Sequence, residues 1–480
     1  MGSNMFSATD LYIGGQWVPS SSGKRFDVEN PATREVLATV ADAGIADARA
    51  AAAAAAEAAA GWRSTPPRVR AELLRAMFEE MISTADEIAE LIVAENGKPF
   101  GDAMSEVEYA ADFFRWYSEE AVRVPGFLSE SPSGARRIME TSQPVGVALL
   151  ITPWNLPAAM ITRKIAPALA AGCTVVVKPS SQTPLTALHL ALIAEKVGIP
   201  AGVINVIPTT TDVEVVGDLI AEGPVRALSF TGSTRVGSQL LAQASARVLK
   251  CSMELGGNAP FIIFDDADLD EATAGAVVAK LRHNAEACTA ANRFLVHRDV
   301  YDAFIDRLTS AFSRMVIGPG TDHGAQIGPL ASRSALDSVN DAVAAAVSHG
   351  ARAVVCGSGP ANGYYFAPTI LLDVLPGAAV LQHEMFAPVA TVVAFDTEEE
   401  AVALANATDM GLASYVFSAD LSRALRVADQ LEAGMVGINT GVISDPAAPF
   451  GGMKHSGIGR EGGRHGLSEF LETKYIAVKW

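Results

Sequence analysis

From Val145 onward, short apolar runs alternate with stretches of helical pattern. The apolar runs read VGVALLI, CTVVVK, VINVI and VRALSF, and the stretches between them include PLTALHLALIAEKVG and TRVGSQLLAQASARV. Continuous apolar runs of this length are typical of strands buried on both faces, and their alternation with helices predicts βαβ units in a parallel sheet. The sequence therefore predicts an α/β fold.

A second series of the same kind begins near Ala259. Before both series, the chain has a β-like start (LYIGGQWV) and the turn-rich segment ENPATREV, and residues 42–95 follow a helical pattern. At about 150 residues per domain, 480 residues allow two or three domains. We therefore expect a second α/β domain, whose apolar runs are APFIIF, RFLVH, ARAVVCG, ATVVAF, LASYVFS and MVGIN.

Charge and cysteine content exclude several classes of protein. Lys and Arg number 36 against 54 Asp and Glu, a net charge of -18, which opposes binding to nucleic acid. The four cysteines lie far apart with no C-x-x-C pair, which indicates neither a disulfide framework nor a metal site. No membrane span or secretion signal is visible. We expect a cytoplasmic protein with a small-molecule partner.

Two glycine-containing motifs are ambiguous when each is taken alone. Residues 457–462 form a G-x-G-x-x-G, but they follow a loop and lack a downstream βαβ unit, which favours a glycine-rich loop over a dinucleotide fingerprint. In SFTGSTRVG, an apolar run ends at Gly232 and Ser233 before a helix that starts at about Thr234. Free N–H groups at that helix start can hold a phosphate, although an ordinary capped turn has the same pattern.

Several further motifs occur in a fixed order along the chain. Together they resemble the aldehyde dehydrogenase superfamily across nearly the whole chain. The resemblance implies a Rossmann-type cofactor domain, an α/β catalytic domain and a small β oligomerisation segment. The motifs are Thr152-Pro153-Trp154-Asn155-Leu156-Pro157, Lys178-Pro179, Met253-Glu254-Leu255-Gly256-Gly257, Glu286-Ala287-Cys288, His383 to Val389 and Pro449 to Lys454, with NPATREV at the front.

The same resemblance implies where the domains divide and how copies associate. The cofactor domain is expected at residues 1–121 and 145–256, the catalytic domain at 257–466, and the oligomerisation segment at 122–144 and 467–480. Because the family completes a sheet across subunits, the implied partner is a second copy of the chain, in a homodimer or a homotetramer.

The chemistry of aldehyde oxidation requires particular residue types. A thiolate that adds to the carbonyl gives an adduct able to expel hydride, and an amide can stabilise its oxyanion. The later hydrolysis of the thioester needs a base, typically a desolvated carboxylate. Cys288 and Asn155 fit the thiol and the amide. The resemblance implies that Glu254 is the base and that Lys164 supports the proton path from it.

The cofactor is implied to be NAD(P)+. Lys178 and Ser181 are expected at the adenosine ribose, where the family often has a glutamate in place of Ser181. Since a serine removes the repulsion of a 2′-phosphate, we predict that NADP+ is accepted and preferred, without excluding NAD+. The other residues implied to contact the cofactor are Thr152, Pro153, Trp154, Gly232, Ser233, Leu255, Glu384 and Phe386.

The segment before the nucleophile departs from the family pattern. Ala285 stands where glycine is usual, and a methyl there strains the backbone if that position needs a positive φ. The other cysteines, Cys173, Cys251 and Cys356, lie in or beside apolar runs and are interpreted as core residues.

Two arginines and a serine narrow the substrate. Arg163, Arg282 and Ser444 match positions at which succinate-semialdehyde dehydrogenases bind the distal carboxylate, and the guanidinium fork suits a carboxylate. The expected reaction is oxidation of succinate semialdehyde to succinate. The alternatives are glutarate or ketoglutarate semialdehyde as substrate, a pair of surface salt bridges at these arginines, and a non-catalytic binding protein on the same fold.

Overall fold

A computed structural model of the protein describes residues 7–375 and 377–479. The predicted β-like start and the helices that follow it are both present. Alanine, the best helix former, makes up most of the first helix, and α2 begins at Pro67, whose fixed φ suits a first helical position. The N-terminal elements are β1 (Leu11–Ile13), β2 (Gln16–Val18), β3 (Arg25–Glu29), β4 (Val36–Ala41), α1 (Ile45–Ser64), α2 (Pro67–Ser83), α3 (Ala85–Asn96) and α4 (Phe100–Glu120).

The predicted parallel sheet is confirmed. Five consecutive strands after residue 146 pair in parallel in the order β9-β8-β7-β10-β11, and β1 and β2 extend the sheet beside β9. Every residue of β7 and β8 is buried, which explains their uninterrupted apolar character. The elements of this part are β5 (Phe127–Glu130), β6 (Arg137–Pro144), β7 (Val147–Ile151), α5 (Ala159–Ala171), β8 (Thr174–Lys178), α6 (Pro184–Lys196), β9 (Ile204–Val206), α7 (Asp212–Glu222), β10 (Val225–Thr231), α8 (Thr234–Ser245) and β11 (Lys250–Glu254).

The second apolar series forms a seven-stranded sheet of its own, in the order β14-β15-β16-β13-β12-β18-β19. Its strands are parallel except for the antiparallel edge pair β14 and β15. Phe261 lies at its centre, with its ring 4.8 Å from that of Phe417 and 5.2 Å from that of Phe294. The elements are β12 (Ala259–Ile263), α9 (Leu269–Leu281), β13 (Ala291–His297), α10 (Tyr301–Ser313), α11 (Arg333–Ser348), β14 (Arg352–Val355), β15 (Thr369–Leu372), α12 (Ala379–Gln382), β16 (Val389–Phe395), α13 (Glu398–Asn406), β17 (Met410–Gly411), β18 (Ala413–Phe417), α14 (Leu421–Gln430) and β19 (Met435–Ile438).

The C-terminal part returns to the first sheet. The strand β21 pairs antiparallel with β11, and the last strand β22 pairs with β6 in a three-stranded sheet that also contains β5. In the chain that the structure describes, no helix combines the length and the apolar character needed to cross a membrane. The elements are β20 (Met453–Lys454), β21 (Gly457–Ile458), α15 (Gly463–Ser468) and β22 (Leu471–Val478).

The glycine motif at residues 457–462 has a structural reason. Gly457 has a φ of +139° at the start of β21, and a Cβ there would lie 2.0 Å from the carbonyl oxygen of Met253. The motif therefore brings the C-terminal segment into close contact with the end of β11, which no residue with a side chain permits. It precedes only the short helix α15 and no βαβ unit, so it is not a dinucleotide fingerprint.

Candidate active site

The parallel sheet has a topological switch between β7 and β10. Strand order reverses there, and such a crevice at the carboxyl ends of the strands is where doubly wound sheets bind dinucleotides. Thr152 follows β7 and Thr231 ends β10, and the hydroxyl oxygens of both are buried with no partner among the residues that the structure describes. Unpaired buried hydroxyls at this position fit a polar ligand such as a dinucleotide.

A cavity of about 200 Å³ opens at this switch point. Trp154 and Phe386 form one wall, with ring centroids 5.6 Å apart in an edge-on contact. The carboxylate of Glu384 accepts a hydrogen bond from the backbone N–H of Gly257 at 3.1 Å, and desolvation raises the pKa of Glu384 to about 8. Most of the predicted cofactor residues line the cavity, namely Pro153, Trp154, Gly232, Ser233, Leu255, Glu384 and Phe386.

The remaining predicted cofactor residues lie at or after the carboxyl ends of β7 and β8, namely Thr152, Lys178 and Ser181. Lys178 ends β8, and its carbonyl oxygen accepts a hydrogen bond from the N–H of Thr152 at 3.2 Å. Ser181 is partly exposed in the following turn.

Ser233 caps helix α8 through a hydrogen bond from the N–H of Val236 at 3.4 Å. Of the two interpretations of SFTGSTRVG, the capped turn is thus present, and phosphate binding stays a prediction.

Cys288 follows a left-handed turn that begins where α9 ends. His283, Asn284 and Ala285 have φ values of 54°, 60° and 64°, a rare conformation for residues with a side chain. The side chain of Asn284 holds the turn by accepting from the N–H of Gly328 at 2.7 Å and donating to the carbonyl of Pro329 at 2.9 Å. The positive φ that makes alanine unfavourable at residue 285 is therefore present.

The thiol of Cys288 lies at the junction of two cavities. It lines the cavity at the switch point and also a second cavity of about 200 Å³, and Met160 is the other residue common to both. Burial and the neighbouring carboxylate of Glu254 raise the pKa of Cys288 well above its usual value. At neutral pH the thiolate, which is the nucleophilic form, is therefore the minor form of Cys288.

Asn155 is buried beside the nucleophile segment. Its side-chain nitrogen donates to the carbonyl oxygen of Glu286 at 2.8 Å, which links the loop after β7 to the segment before Cys288. The backbone oxygen of Asn155 accepts from the ammonium of Lys98 at 2.7 Å, and Lys98 also contacts the carboxylate of Glu106. Because an amide nitrogen carries two N–H bonds, Asn155 keeps one N–H for a ligand.

Glu254, the last residue of β11, belongs to a buried cluster of two acids and two cations. Burial raises the pKa of Glu254 to about 7, partly offset by Arg163, whose guanidinium nitrogen lies 3.9 Å from the carboxylate. Lys164 contacts Glu461 and donates to the hydroxyl of Ser229 at 2.8 Å. Burial alone would raise the pKa of Glu461, but the cations Arg163 and Lys164 hold that pKa below its usual value.

The second cavity differs from the first in its charge. Arg282 and Ser444 line it, as does Arg163. Arg163 is 1% exposed, lies 2.5 Å from Glu461, and stacks over the ring of Phe450 at 4.2 Å. Arg282 has no ion pair among the residues that the structure describes. The alternative of two surface salt bridges is therefore wrong, and Arg282 is the cation of this cavity without a carboxylate partner.

The sequence did not identify Glu461, Lys98 or Glu106. Glu461 lies inside the 457–462 glycine motif, and a carboxylate between glycines was the one signal in the sequence that pointed to it. Lys98 and Glu106 carry no local signal because their role depends on contact with a loop some 50 residues later. Among the other cysteines, Cys173 and Cys356 are buried as predicted, whereas Cys251 is only partly buried.

Comparisons with known proteins agree with this geometry. Residues 17–476 match the model of the aldehyde dehydrogenase family. The chain is 48% identical to the glutarate-semialdehyde dehydrogenase of Pseudomonas aeruginosa over 97% of both chains, and 47% identical to the succinate-semialdehyde dehydrogenase [NADP(+)] GabD of Escherichia coli over 99% and 98%. The crystal structure of succinate-semialdehyde dehydrogenase from Burkholderia pseudomallei superposes with a TM-score of 0.96 at 46% identity, covering 98% of each chain. The protein belongs to the aldehyde dehydrogenase family.

Proposed function

We propose that this protein oxidises succinate semialdehyde to succinate with NAD+ or NADP+. The observation that carries the proposal is the position of Cys288 between two unlike cavities. One cavity lies at the switch point where dinucleotides bind, and the other contains the unpaired guanidinium of Arg282. A short aldehyde with a distal carboxylate fits this division, since its two ends require different surroundings.

The first step assigned to the chain is addition of the Cys288 thiolate to the aldehyde carbon. The oxyanion that forms is stabilised by the remaining amide N–H of Asn155, and loss of one such donor typically costs about 100- to 1000-fold in rate. The link from Asn155 to the carbonyl of Glu286 keeps the amide beside the thiol. This arrangement supports the assignment of Cys288 as the nucleophile and Asn155 as the oxyanion donor.

A nicotinamide cofactor fits the residues at the switch point. When bound, it supplies the acceptor for the hydride that the adduct on Cys288 releases. The phosphates would be held by Gly232 and Ser233, and the adenosine ribose by Lys178 and Ser181. The nicotinamide end would be held by Thr152, Pro153, Trp154, Leu255, Glu384 and Phe386. The unpaired hydroxyls of Thr152 and Thr231 and the narrow cavity beside Cys288 support this placement.

Glu254 is assigned the role of base. A carboxyl group with a pKa of about 7 is present in both protonation states near neutral pH, as a base that accepts and then returns protons requires. It deprotonates the water that hydrolyses the thioester. Lys164 lies in the same buried cluster, paired with Glu461, and is assigned the support of the proton path from Glu254.

The substrate assignment rests on the second cavity. Arg282 and Ser444 bind the distal carboxylate, and Arg163 completes the cation pair although Glu461 already neutralises it. Glutarate semialdehyde is a second candidate, favoured by the 48% identity to the glutarate-semialdehyde dehydrogenase of Pseudomonas aeruginosa. The two differ by one methylene, which is worth about 10- to 200-fold in discrimination.

The test measures reduction of NAD+ and NADP+ by the purified protein with succinate semialdehyde, glutarate semialdehyde and butanal. We expect both carboxylated aldehydes to be oxidised faster than butanal. Arg282→Ala should reduce kcat/KM for succinate semialdehyde at least about 100-fold and for butanal less than about threefold, because only the former loses a charge-assisted hydrogen bond. Equal losses for both substrates would contradict the assignment.

We further propose the domain division at residues 121, 144, 256 and 466, and assembly into a homodimer or homotetramer. The separate sheets of β7 to β11 and of β12 to β16 with β18 and β19 support the division, whereas β21, which lies within the proposed catalytic range, joins the first sheet. The exposed edge strand β22 supports the assembly, since exposed edges invite pairing. The four free cysteines support a reducing compartment such as the cytoplasm.

A further inference from the structure

An ion pair lies at the carboxyl edge of the first sheet, next to the switch point. The ammonium of Lys178, at the end of β8, donates to a carboxylate oxygen of Asp212 at 2.8 Å. Asp212 is the first residue of α7, the helix that follows the neighbouring strand β9. The Lys178 side chain is 6% exposed, whereas that of Asp212 is 54% exposed, so the carboxylate faces solvent at the edge of the crevice.

In doubly wound sheets, the second strand of the nucleotide-binding half ends at the adenosine ribose. An acidic residue there accepts hydrogen bonds from the ribose hydroxyls and disfavours a 2′-phosphate. In this sheet the second strand is β8, and it ends in Lys178, with Ser181 in the turn beyond. The turn from Pro179 to Thr183 has no carboxylate of its own, but Asp212 brings one into contact with Lys178.

We propose that Asp212 is a specificity-determining residue that lowers the affinity for NADP+ relative to NAD+. The inference rests on the proposed function, which places the adenosine ribose at Lys178 and Ser181. Asp212 is paired with the ammonium of Lys178, which the proposed function places at the adenosine ribose, and adds a negative charge beside it. A 2′-phosphate carries a charge of about −1.5 to −2. It therefore competes with Asp212 for the ammonium of Lys178, and the carboxylate of Asp212 repels it.

Two features of the sequence then act in opposite directions. Ser181 removes the carboxylate that the family often places in the turn, which admits a 2′-phosphate. Asp212 supplies a carboxylate from helix α7, and this carboxylate opposes binding of the 2′-phosphate. The cofactor ratio of this enzyme is therefore set by the charge at residue 212 together with the identity of residue 181.

The matched control lies on the same helix. Glu214 is also in the first turn of α7, is exposed, and has no hydrogen bond or ion pair among the residues that the structure describes. Glu214→Gln removes the same charge from the same helix end, so it reports the general field and the helix dipole. Asp212→Asn removes the negative charge that contacts Lys178. Asp212→Ser removes the same charge with a smaller side chain and serves as a second variant.

The experiment titrates NAD+ and NADP+ into the full-length protein by calorimetry, and kcat/KM for both cofactors is measured alongside. In both Asp212 variants we expect the NADP+ to NAD+ affinity ratio to rise at least about threefold over the wild type, and in Glu214→Gln to change less than about twofold. A rise below threefold in the Asp212 variants, or an equal rise in Glu214→Gln, overturns the inference.

The binding data also separate this inference from the proposed function. If the wild type binds both nucleotides and the ratio does not respond to Asp212, the inference fails and the proposed function stands. If the wild type binds neither nucleotide and oxidises no aldehyde, the proposed function and the inference fail together.

Discussion

At the scale of single residues, Glu254 has the clearest consequence. Because its pKa is about 7 and the base must be ionised, the steady-state rate of the wild type should rise with pH through about 7 and level off above it. Glu254→Gln should still form the thioester on Cys288 but hydrolyse it slowly. We expect a burst of reduced cofactor close to one per active site, followed by a phase at least about 100-fold slower than wild-type turnover.

The control for this variant is Cys356→Ala, which removes a buried thiol far from both cavities and should leave the pH profile intact. A Glu254→Gln enzyme with the wild-type steady-state rate would show that another group activates the water.

Ala285 offers a test of backbone strain. Its φ of 64° is unfavourable for a residue with a Cβ, at a cost of about 1 kcal/mol or more. Ala285→Gly should therefore stabilise the folded protein by up to about 1 kcal/mol, reduced by the larger backbone entropy of glycine in the unfolded chain. Thermal unfolding followed by calorimetry measures the effect. The matched variant Ala287→Gly, two residues later at an ordinary φ, should destabilise, and a loss of stability in both would contradict the strain at residue 285.

At the scale of elements, the loop between β7 and α5 depends on a buried ion pair. Lys98 contacts the backbone oxygen of Asn155, and Glu106 accepts from the N–H of Ala158 at 2.8 Å. Both side chains are fully buried, so removing one charge leaves the other without the opposite charge that it contacts. Glu106→Gln and Lys98→Met should each destabilise the protein by about 3 to 5 kcal/mol and lower kcat, because the loop that carries Asn155 rests on this pair.

A double variant separates charge pairing from packing. Lys98→Met with Glu106→Gln removes both charges and keeps an acceptor for the N–H of Ala158. We expect it to be more stable than either single variant in urea unfolding, since no unpaired buried charge remains. A double variant whose loss equals the sum of the single losses would show that the two charges act independently.

The elements themselves were largely predictable, and the contacts between them were not. The buried strands β7 and β8 were visible as apolar runs because all their residues face the core. Cys288 was visible because it follows a helical stretch, outside the apolar runs, in a segment that resembles a family motif. Glu461 and Lys164 are 297 residues apart, and no local pattern joins them. Asp212 likewise contacts Lys178 because the parallel pairing of β8 and β9 places the ends of these two strands side by side.

At the scale of the whole molecule, the strand β22 is an exposed edge of the three-stranded sheet. Tyr475 is 55% and Ile476 is 38% exposed on it. We expect another copy of the chain to cover this edge, so Ile476→Asp should place a charge in the interface and lower the particle mass measured by light scattering. A homodimer should fall to the 50.1 kDa of one chain, and a homotetramer should fall to a fraction of the wild-type mass. Val248→Asp adds the same charge at a residue that is 89% exposed and should leave the assembly unchanged. Equal masses for the Ile476 variant and the wild type would place the interface elsewhere.

Among the residues that the structure describes, the two cavities that meet at Cys288 have only that residue and Met160 in common. In the proposed function, an aldehyde and a nucleotide therefore occupy different cavities, and the two cavities meet at the thiol. For the kinetics, this means that a dicarboxylate occupying the Arg282 side competes with the aldehyde but not with the nucleotide. It also means that water for the second half of the reaction can enter from the side that the departing nucleotide vacates, while the acyl group stays anchored by its carboxylate.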